Sequence, residues 1–262
     1  MLRKLIRKMR AEPMQETDES GELMPPPKLQ ALVGQTYKEV GAEFLGHLTK
    51  IAGLKPNETI LDVGCGCGRM AVPLTRYLTT GQYHGFDVPG ESIDWCIQAI
   101  PKRFPNFHFK TVDLHNGVYN RKGKLKPSEF KFPYPDAMFD VALFASVFTH
   151  LFPPDAQNYV AQLARVLKPG GRALCTFFLL NDESKPLIEA KKGVLNFEYQ
   201  EQGYRTIRKD MPEMGIAYEE SFIRDLFAKH RLKVEDPIHY GFWCGRTQHL
   251  SMQDILLVTK TG

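Results

Sequence analysis

Two rhythms of apolar residues alternate along this chain. From Tyr37 to Ile51 the spacing is helical, with Phe44, Leu45 and Leu48 on one face. Short apolar runs at Thr59–Val63, Tyr83–Val88, Phe107–Val112 and Phe139–Phe144 predict strands. Between them, Met70–Leu78 and Glu91–Ile100 read as helices, the second with Ile93, Cys96, Ile97 and Ile100 on one side. Asp155, behind two prolines, is placed as the N-cap of a helix carrying Tyr159, Leu163, Val166 and Leu167. Lys168-Pro169-Gly170-Gly171 stops that helix and turns the chain into a fifth strand, Arg172–Phe178. Ser221–Lys229 reads as a helix and Ile255–Val258 as a final strand. Strands separated by helices imply an α/β fold: a mostly parallel sheet with helices on both faces.

Three stretches break the rhythm. Residues 1–12 place Leu2, Leu5, Ile6 and Met9 at helical spacing among basic side chains, and residues 13–28 turn acidic and then proline-rich, like a linker or an extended arm. A division follows: residues 1–30 as a basic amphipathic segment with its linker, and residues 31–262 as the main domain. Insertions near 115–135 and 181–217 lack periodicity, and they are expected on the substrate side.

The richest chemistry sits at Leu61-Asp62-Val63-Gly64-Cys65-Gly66-Cys67-Gly68, where a strand ends and a glycine turn opens a helix. Without side chains, a backbone can approach a ligand closely. A nicotinamide-binding turn needs G-x-G-x-x-G, but Arg69 stands where the third glycine would fall. About 20 residues further on, Gly85-Phe86-Asp87-Val88 puts an acid at the end of the next strand, where it can accept both hydroxyls of a ribose. Val112-Asp113-Leu114 follows the third strand. Phe132-Pro133-Tyr134-Pro135-Asp136 leads into Phe139-Asp140-Val141, and Leu163 to Gly171 ends the next helix.

In this order and spacing, the five stretches resemble the class I S-adenosylmethionine-dependent methyltransferases of small-molecule type. The resemblance covers about residues 55 to 180. It implies a Rossmann-like, seven-stranded, mostly parallel sheet whose last strand is antiparallel, and S-adenosylmethionine as the cofactor. It also implies cofactor-binding roles for Asp62, Gly64, Cys65, Gly66, Gly68, Asp87, Val88, Asp113, Leu114 and Ala145. Plainer structural roles stay open: a turn or helix cap for Asp62, a solvated strand end for Asp87, an ordinary turn for Asp113.

Charge narrows the partner. The net charge is +4, and Met1–Arg10 carries five basic residues and no acid, so the other 252 residues sum to −1. A body without a basic face argues against nucleic acid. The basic amphipathic segment 1–12 is a candidate for peripheral contact with an anionic membrane, or for packing on the body. Without an apolar run of about 18 residues or a secretory signal, the protein is expected in the cytoplasm. Five cysteines, an odd number, suit a reducing compartment, and Cys65-x-Cys67 lacks the second ligand pair of a metal site.

Methyl transfer to oxygen benefits from a base. After the fourth strand comes Ala145-Ser146-Val147-Phe148-Thr149-His150, and in the resembled family this segment borders the methyl group; His150 is therefore the candidate base, with His239 and His249 as rivals and a buried or capping role as the plainer reading. The aromatic Asx-Pro-Pro signature of amino-directed nucleic-acid enzymes is absent here, and Phe152-Pro153-Pro154-Asp155 lacks its stacking ring. The expected acceptor is a small molecule, an oxygen of a sugar or other hydroxylated metabolite. Nitrogen or carbon acceptors, protein or nucleic-acid acceptors, and a non-catalytic cofactor-binding module are the alternatives.

Overall fold

The computed structural model describes residues 16–19, 21–33 and 36–261. The amphipathic segment expected at residues 1–12 lies outside them. Two short helices, α1 (Pro27–Leu32) and α2 (Tyr37–Lys50), precede the sheet. Pro27 starts α1, so the proline-rich stretch continues into a helical turn rather than a wholly extended arm. A proline at the first helical position loses no hydrogen bond and arrives with its φ preset.

The main sheet holds β1 (Ile60–Val63), β2 (Tyr83–Asp87), β3 (Phe107–Thr111), β4 (Phe139–Phe144), β5 (Leu167–Phe177), and the late pair β10 (Leu232–Val234) and β11 (Asp254–Lys260). Its order is β10-β11-β5-β4-β1-β2-β3, with β11 antiparallel to both neighbours. The fold is the expected Rossmann-like α/β sheet with its last strand reversed. Alternate residues feed two cores, as the two-residue period of a strand requires. Ala142, Phe144, Ala173 and Cys175 face a core under α5 (Pro153–Val166) and α7 (Glu220–Lys229). Val141, Leu143 and Leu174 face the opposite core under α2, α3 (Ala71–Leu74) and α4 (Glu91–Ala99). Burial on both faces explains why these strands read as continuous apolar runs.

Two expectations need correction. Asp155 is not the N-cap of α5: Phe152 is, and Asp155 sits three residues in, reaching back to accept the Phe152 N–H at 3.3 Å. The two prolines occupy the first helical positions, which moves the cap upstream. The fifth strand begins earlier than Arg172, because Leu167 already pairs with Phe139 before a register shift to Val141 and Arg172.

The unpatterned stretch after β5 folds as a cap. It contains β6 (Leu179–Leu180), α6 (Ser184–Glu189), β7 (Tyr199–Gln200), β8 (Tyr204–Thr206) and β9 (Ile216–Glu219). The four strands form a separate sheet in the order β6-β9-β8-β7. A third apolar cluster, built on Phe178, Phe197 and Trp243, lies beneath it. Asp254, fully buried at the start of β11, ties cap to sheet: it accepts the Leu179 and Gly241 N–H groups, each at 2.7 Å, and the Trp243 indole N–H at 2.9 Å. The buried Arg246 guanidinium pairs with it at 3.1 Å and also reaches Glu183 and Asn181 of the cap.

Replacing Asp254 with Ala strands three donors and removes the buried counter-charge of Arg246. The expected loss is about 3–5 kcal/mol of stability, read from the urea midpoint at unchanged slope. A loss below about 1 kcal/mol contradicts the hub.

Candidate functional site

Ligands of open parallel sheets bind at the carboxyl ends of the strands, where the strand order reverses. Here that point lies between β1 and β4. The turn leaving β1 is shaped by three left-handed glycines, Gly64 at φ +73°, Gly66 at φ +54° and Gly68 at φ +74°. Gly64 is crowded: a Cβ there would lie 2.9 Å from Val147 Cγ2, on the segment leaving β4. Gly66 faces open space, its nearest neighbour being Val33 at 3.9 Å. A turn closed on one side and bare on the other is a cradle for a ligand.

Asp87, at the end of β2, meets this turn. Its Oδ2 accepts the Gly66 N–H at 2.5 Å and its Oδ1 accepts the Val88 N–H at 2.6 Å. Burial pushes the Asp87 carboxyl above the usual range, and these two N–H groups pull it back. A carboxylate has about four acceptor positions, so the backbone leaves room for two more donors. Asp62 stands differently. It is buried in β1 on the α2–α4 side and accepts the Tyr83 hydroxyl at 2.6 Å. Burial raises its carboxyl to about 7 despite that hydrogen bond.

Cys65 is buried beneath the turn, with its N–H bonded to the Phe86 carbonyl at 3.2 Å. Among the described residues no group of three or more His, Cys, Asp or Glu could hold a metal ion. The N-terminal helices close over the same turn: Tyr37 donates its hydroxyl to the Cys67 carbonyl at 3.0 Å, and Arg69 donates to the Val33 carbonyl at 2.6 Å. Asp113 and Leu114 follow β3 on the same edge. The Asp113 carboxylate accepts Asn120 Nδ2 at 3.2 Å, Leu114 is buried, and both anchor the loop carrying Tyr119.

Beyond β4, Ala145 is half-buried and Ser146 adopts φ +58°. A left-handed non-glycine residue is uncommon and costs about 1–3 kcal/mol. His150 follows in a short 3₁₀ turn. Its Nδ1 lies 2.8 Å from the Glu213 carbonyl oxygen, and an oxygen that only accepts fixes the proton on Nδ1. Burial then lowers the His150 pKa below its ordinary value, against the Glu213 carbonyl, which favours the charged ring. Burial thus favours the neutral imidazole, whose lone pair is on Nε2.

The same Glu213 accepts the Gly117 N–H at 3.0 Å, drawing the 115–126 loop to the cap. That loop carries Tyr119, whose ring meets His150 edge-on at 5.5 Å. Tyr119 is 60% exposed, yet loss of surrounding water, and then the Asp87 charge, push its phenol up. The ring stands largely exposed beside His150. Of the rival histidines, His239 pairs through its backbone with Ile255, and His249 is exposed against Phe242. A separate cavity of about 530 Å³ opens between residues 21–24, α2 and α3, lined by Tyr37, Lys38, Leu45 and Val72 among others.

Sequence reasoning missed Tyr119 and Glu213, which join the site only through long-range contacts, and the positive φ of Ser146, which has no signature in a serine.

Residues 61–175 match the family model described as a methyltransferase domain. An uncharacterized methyltransferase of Schizosaccharomyces pombe is 33% identical over 122 residues, covering 47% of this chain and 40% of that protein. The 27-O-demethylrifamycin SV methyltransferase of Amycolatopsis mediterranei is 29% identical over 167 residues, covering 61% and 56%. The chain thus spans about half, or less, of these relatives' lengths. A SAM-dependent methyltransferase structure from Methanosarcina mazei superposes with a TM-score of 0.56 at 20% identity, covering 81% of this chain and 97% of that one.

Alanine at Gly66 is expected to cost only the left-handed penalty, about 1–2 kcal/mol. Gly64→Ala must also displace Val147 and should cost measurably more. Denaturation midpoints of the two variants decide it, and equal costs would contradict the crowding at Gly64.

Proposed function

We propose that this chain, whose residues 61–175 form a class I S-adenosylmethionine-dependent methyltransferase domain, transfers the methyl group to an oxygen of a small hydroxylated molecule, a sugar or similar metabolite. The observation that carries this reading is His150: its Nδ1–H locked to a carbonyl, its pKa lowered by burial, and its Nε2 without a hydrogen bond among the described residues. S-adenosylmethionine, when bound, supplies a methyl already activated on a sulfonium.

The residues present fit that cofactor. Gly66 leaves backbone room, and Asp87 retains acceptor positions for the two ribose hydroxyls. Asp113 and Leu114 would border the adenine, and Ala145 the sulfur. Cys65, Gly68 and Val88 hold the surrounding backbone, and Asp62 acts on the turn through its buried bond to Tyr83. His150 Nε2 would take the proton of the acceptor hydroxyl as that oxygen receives the methyl group the cofactor would supply, and the imidazolium would return the proton to water. A relative named for 27-O-demethylrifamycin SV supports an oxygen acceptor. Labelled methyl donor offered separately to metabolite, protein and nucleic-acid fractions tests the acceptor class. Label confined to protein or nucleic acid overturns it.

Asp87→Ala should weaken S-adenosylmethionine binding by about 2–3 kcal/mol, the loss expected for hydrogen bonds to a charged group. Calorimetry on the folded variant checks this, and unchanged affinity removes Asp87 from the site.

His150→Ala should lower turnover by about 10²–10⁴-fold while leaving cofactor affinity nearly intact. Because the folded pKa is depressed, the base stays unprotonated below its usual value of about 6.5. The acid limb of the pH–rate profile should fall below that pH and vanish in the variant. Full turnover of His150→Ala across pH 6–9 contradicts the assignment.

A further inference from the structure

Gln253 lies at the same edge of the sheet as the glycine turn and His150, immediately before β11. Its neighbour Asp254 pairs with Phe177, at the carboxyl end of β5. The backbone around it is tightly held. The Phe242 and Trp243 N–H groups bond the Ser251 and Met252 carbonyls, each at 3.1 Å. A Cβ on Gly241 would fall 2.5 Å from the Gln253 carbonyl carbon.

The side chain is fixed as well. Gln253 Oε1 accepts the Ser146 hydroxyl at 3.1 Å and the Thr176 hydroxyl at 2.5 Å. Thr176 Oγ1 in turn accepts the Ser146 N–H at 2.8 Å, which holds Ser146 in its left-handed conformation beside Ala145. With both hydroxyls donating, the amide oxygen faces the protein and the nitrogen faces away; the Thr176 hydroxyl also lies 3.4 Å from the Phe144 carbonyl, a second acceptor for its proton. Among the described residues no hydrogen bond partners Gln253 Nε2, and the residue is only half-buried. Two N–H donors thus stand ready at the edge where methyl transfer is placed, next to the strained Ser146 that follows Ala145.

We propose that Gln253 is an acceptor-binding residue: its carboxamide N–H groups hold a neutral hydroxyl or ether oxygen of the acceptor, while His150 takes the proton from the reacting hydroxyl. Ser146 and Thr176 are positioning residues that lock the amide. The inference rests on the proposed oxygen-methyltransferase reading of the same site. It also adds a specificity. A pair of N–H donors favours uncharged, oxygen-rich acceptors such as polyols and sugars over ammonium groups, which offer no lone pair.

Gln253→Glu separates this role from a structural one. A glutamate still offers oxygens to Ser146 and Thr176 but has no N–H to donate. The test titrates methyl α-D-glucopyranoside and glycerol into the S-adenosylhomocysteine complex and follows two NMR signals, the Gln253 side-chain amide in glutamine-labelled protein and the His150 ring. The wild type should show both signals moving with at least one probe. Gln253→Glu should keep its melting temperature and cofactor affinity but bind that probe about tenfold more weakly, the loss of a single hydrogen bond. If the His150 ring moves and the Gln253 amide does not, or if Gln253→Glu binds the probe like the wild type, Gln253 does not bind the acceptor and the oxygen-methyltransferase reading stands. If neither signal moves with either probe, the inference falls together with the sugar-type acceptor.

Discussion

The hydrogen bond from Gly66 N–H to the Asp87 carboxylate joins the two halves of the proposed cofactor site. It exists only because Gly66 is left-handed, which turns its N–H out of the β1 turn toward the end of β2. Parallel pairing of β1 with β2, Ile60 opposite Tyr83 through Val63 opposite Phe86, brings the two ends level. The register in turn depends on burial on both faces, since a slip by one residue would put Asp62 where Leu61 lies. Local backbone chemistry and sheet packing thus converge on one carboxylate.

Polar groups outside that carboxylate are arranged by contrast. Asp254 and Arg246 are buried, fully bonded and structural, and they bind the cap to β11. Among the described residues, His150 is hydrogen-bonded on one nitrogen and Gln253 on its oxygen alone. Half-satisfied groups cost stability when they are buried from water. Their placement at the carboxyl edge of the sheet, next to a strained Ser146, is what separates a site from a scaffold here.

Much of this was legible in the sequence where the signal is local. The span Phe139–Phe144 matches β4 end for end, and the glycine turn announced its geometry by composition. The cap was not legible. Its strands are two to four residues long and pair across gaps, so no window holds a period. Asp155 misled because Ser, Thr, Asp and Asn suit both the cap and the first turn of a helix. Gln253 meets Ser146 across 107 positions, and no spacing rule reaches that far. Tyr119 sat in a stretch read as an interruption, and the bond between Glu213 and Gly117 draws its loop toward His150 across 96 positions.

The most direct test is an experimental structure with S-adenosylhomocysteine bound. This account predicts both ribose hydroxyls within hydrogen-bonding distance of Asp87, backbone contact at Gly66, and the sulfur facing Ala145, with His150 Nε2 open toward it. A cofactor seated instead in the cavity between residues 21–24, α2 and α3, or lying across the turn without touching Asp87, would contradict it.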